Sequence, residues 1–402
     1  MKRTILILLS ILMSLSFVAC GNKDDTKEAA KNSIQVKGAK KEEQKADVKE
    51  EKSEVQEVKE EVKDEEKKAA NNVDNLIAKL ESLKEKHAKS SGIIDATIAQ
   101  VKDIVVDETS LTFKDDSGRE SVTITKNPDR TAILYASLAS MYEELGGRID
   151  LIIGGKNAIE LYKFQQGKDI TEGKKIIVDT NAGKKWSVEN IIAEKPELII
   201  CAPTSEGYIT IKDACETAGI EVIAINYSGI SEYMKWAFIF TELTDNQKAF
   251  EDVALKTFGD VLDIIDKVDE SISPKVVSLM PNAKSLKANL DMSDLGTILV
   301  DLGAKNGIKG EVKKGASPRI DINVEDIYKA DPDYIFIQCM SSEDYAREAV
   351  AKHCESSPVW HELRAVKEGR VYYLPKGLFH NRPNSKYKVA YQMIYDYLYG
   401  GK

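Results

Sequence analysis

Apolar positions along this chain change their rhythm by region. After Pro128, continuous apolar runs at 132–135, 151–153, 176–178, 198–201 and 222–225 alternate with longer segments of mixed polarity. The runs read as strands and the intervening segments as helices starting near Ser137, Ser187 and Ile209. Gly146, Gly147 and Gly219 stand where those helices should stop. Apolar strands separated by helices predict a parallel sheet covered on both faces. The same grammar returns after Pro274, with strands at 276–280, 334–337 and 371–374 and helices at 293–302, 324–329 and 346–352. Ahead of both halves, Leu111 to Phe113 and Val122 to Ile124 flank Asp115-Asp116-Ser117-Gly118, a hairpin signal. Between the halves, 231–270 has no Pro. It predicts a short helix to Leu243, a cap at Thr244, and a long helix. Phe250, Val253, Ala254, Thr257, Phe258, Val261, Leu262, Ile265 and Val268 form its apolar stripe. About 26 residues from Asp245 would span roughly 39 Å, enough for one rod joining two lobes with little closure between them.

The N-terminus follows a different pattern. Lys2 and Arg3 precede an apolar run from Ile5 to Val18, the length of a signal-peptide core and short for a membrane span. Phe17-Val18-Ala19-Cys20-Gly21 then meets polar Asn22 to Asp25. This resembles a bacterial lipobox, which implies cleavage before Cys20 and a diacylglycerol on its thiol. Two acyl chains hold a soluble domain on a bilayer where one holds it marginally. From Lys23 to Ala70 there are 13 Lys and 15 acidic residues and no aromatic or Pro, too little apolar surface to offset chain entropy. Val48, Val55 and Val62 lie seven apart, so a solvated helix or weak coiled coil is the alternative to a plain tether. Leu76, Ile77, Leu80 and Leu83 show helical periodicity and can lie against the folded part. The expected divisions are 1–19 signal peptide, 20–91 tether, 92–230 first lobe, 231–272 linking helix and 273–402 second lobe.

Charge and composition narrow the function. A formal charge of −9 over 402 residues argues against nucleic acid, which needs a basic face. Five Cys and four His are too few for a zinc-finger array or disulfide scaffold. Cys201, Cys215, Cys339 and Cys354 are compatible with disulfides or with free buried thiols. His353, His361 and His380 are not spaced as paired metal ligands, so a resident metal is not expected. No Gly-x-Ser-x-Gly elbow occurs, and Gly154-Gly155 lacks the Lys-Ser/Thr of a phosphate loop, so no catalytic residue is nominated.

One motif occurs twice. Trp186 to Ile200 and Ile322 to Phe336 share a capping residue (Ser187, Asn323), a Glu two later (Glu189, Glu325), a Pro seven after that, and an apolar strand. With the lipobox, the two α/β halves and the linking helix, this order resembles the ABC-transporter solute-binding proteins of the iron-complex, haem and cobalamin branch. The further carriers are 112–120, 127–130, 138–146 and the run from Val366 to Pro375. The resemblance implies two Rossmann-like lobes with mostly parallel sheets, joined by one long helix, with a ligand cleft between them. It implies passive capture and delivery to an ABC permease with a cytoplasmic ATPase, no bond being made or broken. It also implies permease docking through Glu189 and Glu325.

Ligands of open α/β sheets sit beyond the carboxyl ends of strands. That rule nominates Tyr135, Ser137, Lys156, Asn157, Thr204 and Tyr227 on the first lobe, with the loop ending at Trp186. On the second it nominates Lys284, Met340, Phe379, His380 and Arg382, beside Met280 and Ser341. Arg382 leads, because a guanidinium pairs bidentately with carboxylate or catecholate oxygens. Lys156, Lys284 and Arg382 near aromatics favour an anionic iron–siderophore chelate. Haem would need an axial ligand such as His380, Tyr135 or Tyr227. Cobalamin ranks third. The expected protein is a monomer exported and lipid-anchored on the outer face of a Gram-positive cell membrane. A surface hydrolase, or an adhesion or sensing lipoprotein on the same scaffold, is the alternative of another class.

Overall fold

The computed structural model describes residues 72–163, 167–178, 186–203, 206–313 and 316–400, the side chains at 157 and 206 excepted. The expected signal peptide, Cys20 and the tether up to residue 71 lie outside the described residues.

Two helices come first, α1 (72–86) and α2 (Ser91–Val101). Val73, Leu76 and Leu80 on α1 are buried at the spacing of one helical face. Residues 72–91 therefore belong to the packed part rather than to the tether, because that stripe needs cover. A three-stranded antiparallel sheet follows: β1 (Val105–Val106), β2 (Ser110–Phe113) and β3 (Val122–Thr125). Gly118, at φ +91°, turns the expected hairpin.

The first lobe is built on β4 (Thr131–Ile133), β5 (Leu151–Gly154), β6 (Lys175–Val178), β7 (Leu198–Cys201) and β8 (Glu221–Ala224). All pair in parallel, in the order β6-β5-β4-β7-β8. Four helices connect them: α3 (Ala136–Glu144), α4 (Lys156–Tyr162), α5 (Val188–Ala193) and α6 (Glu206–Thr217). β4, β5 and β7 are buried along their whole length, as central strands covered on both faces must be. Gly146 and Gly219 take φ +90° and +76° just past α3 and α6, so both predicted stops are real.

The connection has two helices. α7 (Ile230–Leu243) is buried almost all round, and Thr244 closes it by bonding the Phe240 carbonyl at 2.9 Å. Asp245 turns the chain at φ +50°. Asn246, rather than Thr244, caps α8 (247–265), its side chain accepting from Ala249 N at 3.2 Å. At 1.5 Å per residue α8 is about 28 Å long. It is shorter than expected because Asp266 to Val268 turn off the helix toward α1. Phe250–Leu255 is a π-helical stretch, which keeps Phe250, Ala254 and Phe258 on one buried face.

The second lobe holds β9 (Lys275–Pro281), β10 (Leu286–Asn289), β11 (Lys305–Asn306), β12 (Arg319–Asp321), β13 (Tyr334–Gln338) and β14 (Val371–Leu374). Their order is β12-β10-β9-β13-β14, with β11 also on β9. The pairs β9–β13 and β13–β14 are parallel, whereas β10 pairs antiparallel with β9 and β12. That mixed edge was not expected, since Lys287 and the short Arg319–Asp321 run interrupt the apolar signal. Its helices are α9 (Asp294–Asp301), α10 (Val324–Ala330), α11 (Glu343–Val350), α12 (Pro358–Glu362), α13 (Arg364–Lys367), α14 (Lys376–Phe379) and α15 (Tyr387–Tyr399). α15 packs on α8, and their apolar faces share one core with α1, α2, α3 and α7.

α1 is held to α7 and α8 at several points. Asn72 donates to Glu242, Lys86 to Asp263 at 2.9 Å, and Lys79 pairs with Glu251. His87 is buried with Nδ1 2.7 Å from Asp266 Oδ2, and Ser90 Oγ donates to Asp266 Oδ1 at 2.7 Å. Leu80→Ala is expected to lower stability by about 2–5 kcal/mol in urea unfolding, as for other fully buried leucines. Lys79→Ala should cost no more than about 1 kcal/mol. Equal, small effects would return residues 72–91 to the tether.

Candidate functional site

The crevice of an open parallel sheet opens where strand order reverses. In the first lobe that point lies between β4 and β7. Tyr135 lies two residues past β4, as the extended residue before α3, and is 43% exposed. The loop after β14 crosses to the same rim. Arg382 is buried there, donating Nε to the Tyr227 carbonyl at 2.7 Å and Nη2 to Asn226 Oδ1 at 2.9 Å. Its guanidinium lies 4.7 Å from the Tyr227 ring centre and 5.4 Å from that of Tyr135. Burial opposes its charge, but Tyr135, Asp294 and Tyr227 outweigh that and hold its pKa above the usual arginine value.

Asn384 locks the same seam. It takes φ +53°, which Asn tolerates better than most residues. Its Oδ1 accepts from the Tyr227 hydroxyl and its Nδ2 donates to the Ser137 carbonyl at 2.9 Å. Behind Asn226 stands Asp116 of the β2–β3 turn. Its carboxylate accepts from Asn226 N at 2.7 Å and Trp236 Nε1 at 3.0 Å, with Lys235 Nζ at 3.7 Å. Burial pushes the Asp116 carboxyl up to about 6, against the pull of Lys235.

A second arginine completes the cluster, and sequence reasoning missed it. Arg319, on β12, donates Nε to Asn289 Oδ1 at 2.7 Å and lies 3.9 Å from Asp294 Oδ2. Burial raises the Asp294 carboxyl pKa, with Arg382 and Arg319 both opposing. Burial and Arg382 lower the Arg319 pKa, while Asp294 and Tyr135 support it. Arg319 thus lies beside the half-buried Asp294 carboxyl, which also feels the charges of Arg382 and, in the opposite sense, Glu232. The signal was present: Arg319 precedes Ile322 in the repeated motif, in the stretch whose first-half counterpart was nominated as the loop ending at Trp186.

His380 lies in the same field. Burial, then Lys376 and Arg319, depress its pKa to about 4, so the imidazole is neutral at pH 7. Its Nδ1 is buried and has no hydrogen-bond partner among the described residues.

Several nominated residues play other parts. Tyr227 is wholly buried, its hydroxyl and carbonyl both spent on Asn384 and Arg382. The Phe379 ring lies in the core, and its carbonyl accepts from Gln338. Trp186 is buried with Leu134 and Tyr208 rather than lining the crevice. Ser137 is buried, its carbonyl bound by Asn384. Lys156 and Lys284 are exposed, and Met340 is half-buried. Thr204 and the Asn157 side chain lie outside the described residues. Arg382 itself spends two of its five N–H donors on Tyr227 and Asn226.

Glu189 and Glu325 both sit exposed in the first turn of their helices, α5 and α10. Neither has an ion-pair partner among the described residues. The repeat extends further than the sequence showed. Lys195 and Asp331 close the two helices at φ +51° and +40°, each directly before its Pro. Among the described residues no group of three or more His, Cys, Asp or Glu can hold a metal ion. Cys201, Cys215, Cys339 and Cys354 are free and buried, and burial raises each thiol pKa.

A family model described as periplasmic binding protein matches residues 127–378. An iron-uptake system-binding protein of Bacillus subtilis is 24% identical over 215 residues, 51% of this chain. That match spans 62% of the relative's length. Solved structures share the fold. A triscatecholate siderophore-binding protein of B. subtilis, complexed with ferri-bacillibactin, covers 72% of this chain and 99% of its own, at TM-score 0.55 and 21% identity. A haem-complexed protein of Staphylococcus aureus covers 67% and 98%, at TM-score 0.52 and 19% identity. A substrate-binding protein from Listeria monocytogenes covers 69% and 100%, at TM-score 0.56 and 17% identity.

Acid unfolding tests the His380 environment. Its depressed pKa makes a contribution to stability that is present above the ordinary value of 6.5 and lost as pH falls through about 4. Asp116 acts oppositely, its contribution being full below 3.8 and lost as pH rises through about 6. Wild type minus His380→Gln should therefore show a stability difference that shrinks on acidification from pH 7 to pH 4. A pH-independent difference would place His380 in an ordinary solvated setting.

Proposed function

Since the chain belongs to the periplasmic binding protein family, we propose that it captures an anionic iron chelate of the siderophore type between its lobes and delivers it to an ABC permease. The observation that carries this reading is the buried Arg382 guanidinium 5.4 Å from the ring centre of exposed Tyr135, with Arg319 in the same cluster 3.9 Å from Asp294. A guanidinium in a partly dry site attracts oxyanions more strongly than one in water, and a phenol ring adds a flat contact for a catecholate. The similarity to an iron-uptake system-binding protein supports the same cargo class. In this reading the protein binds without catalysis. It is exported, held through lipid on Cys20, and paired with a permease and an ATPase; extracytoplasmic placement is the rule of the family. No described helix is long and apolar enough to cross a membrane.

A second reading is haem. It is favoured by His380, whose neutral ring and unbonded buried Nδ1 suit an axial ligand.

Thermal-shift titration separates the cargoes. A ferric tricatecholate should raise Tm, and Arg319→Gln should weaken its binding about tenfold, the worth of one charged hydrogen bond. A Soret band on haemin addition that His380→Ala abolishes would select haem instead. No stabilisation by either would end the iron-complex proposal.

Docking has its own test. Glu189→Arg and Glu325→Arg should each block cellular uptake while leaving chelate affinity in vitro unchanged. An acid in a helix first turn favours the dipole by only about 0.3–1 kcal/mol, so the fold should survive. Normal uptake by both variants would remove these residues from docking.

A further inference from the structure

One sizeable cavity lies away from the crevice between the lobes. It has a volume of about 670 Å³ and opens at the amino ends of β13 and β14, the opposite end of that sheet from the Arg382 loop. This size falls within the roughly 300–1,000 Å³ of small-molecule sites.

Five half-buried tyrosines line it: Tyr334, Tyr372, Tyr395, Tyr397 and Tyr399. Strand alternation puts Tyr334 and Phe336 on one face of β13, and parallel pairing sets Tyr372 of β14 beside them. Tyr397 of α15 stacks on Tyr372 at 4.0 Å between ring centres. The guanidinium of Arg370 lies 5.0 Å from the Tyr334 ring centre and pairs with Glu368. Its Nε is buried and has no hydrogen-bond partner among the described residues. The Arg370 side chain is 25% exposed at the cavity wall, so its terminal nitrogens are the donors that an acceptor oxygen from a ligand can reach.

The charges of the lining select the ligand class. Asp269, Glu368 and Asp396 face Lys267 and Arg370, so carboxylates outnumber cations and one cation is already paired. An anionic ligand, including a ferric chelate of the kind proposed for the crevice, is disfavoured here. A bare metal ion finds no cluster of ligands. The exposed end of Arg370, already paired with Glu368, asks for a neutral acceptor oxygen, the carboxylates for hydroxyl donors, and the ring faces for C–H groups carrying partial positive charge. A neutral sugar ring offers all three. We infer that this tyrosine-lined cavity binds a neutral oligosaccharide, at a site separate from the crevice and independent of its cargo.

The experiment uses the full chain and two probes, chitotetraose and cellotetraose, read by saturation-transfer NMR. A ferric tricatecholate titration runs beside them. Either sugar should receive saturation, and Arg370→Gln or Asp396→Asn should weaken its binding about tenfold. Chelate binding should stay unchanged in both variants. Asp396 is exposed, so its variant remains informative if Arg370→Gln fails to fold. The inference is overturned if neither sugar receives saturation at millimolar concentration, if an anionic hexuronate oligomer binds instead, or if sugar binding survives in the folded variants. Loss of chelate binding alone would leave this site untouched.

Discussion

A charged group removed from water must find partners, and in this molecule that demand joins the two lobes. Arg382 belongs to the loop after β14, yet its bonded acceptors are the Tyr227 carbonyl and the Asn226 side chain of the first lobe. Asn384, two residues on, spends both ends of its amide on Tyr227 and Ser137. Breaking such a seam leaves buried donors and acceptors unmatched, at about 1–3 kcal/mol each. The carboxyl ends of β4 and β8 are therefore fixed relative to the second lobe by polar chemistry. Asp116 carries the same constraint back into the hairpin, because it holds the backbone of the residue whose side chain receives Arg382. Exposed Tyr135 sits on a rim already made rigid.

Rigidity has a second source. α1 and α2 precede the segment matched by the family model, which begins at residue 127. Their buried stripe and the Asp266 bonds to His87 and Ser90 press along α7 and α8, the connection between the lobes. A bare connecting helix could bend about its π-helical stretch at Phe250–Leu255. One flanked on one side by α1 and on the other by α15 has little freedom to do so. The first described helix, α1, thus packs along the connection between the lobes.

Much of this was legible from residues alone. Every strand of the first lobe's sheet was located within two residues, because parallel strands covered on both faces are continuous apolar runs. β10 and β12 were not, because an edge hairpin carrying Lys287 and Arg319 has no such run. The site was legible as a place rather than as roles. The strand-end rule nominated Tyr135, Tyr227 and Arg382, which the structure does set side by side, but it cannot tell a wall residue from a strut. Tyr227 and Phe379 proved to be struts because large aromatics beside a seam are worth more buried than exposed. Arg319 escaped because one Arg in a polar stretch carries no periodicity, and only the alignment of the two halves gives it a position.

That internal repeat has a consequence for how binding and delivery are separated. α5 and α10 start with an exposed Glu and end with a left-handed residue before Pro, so each half presents the same acidic turn in the same relation to its sheet. A carboxylate kept solvated, unpaired and in a helix first turn adds little to stability. The cationic cluster at the crevice, by contrast, is buried and mutually coupled, so a change there alters both fold and affinity. The tyrosine-lined cavity lies at the opposite end of the second sheet from the Arg382 loop. Strand polarity thus separates these surfaces: the crevice and the acidic first turns of the crossover helices lie toward the carboxyl ends of the strands, and the cavity lies at the amino ends of β13 and β14.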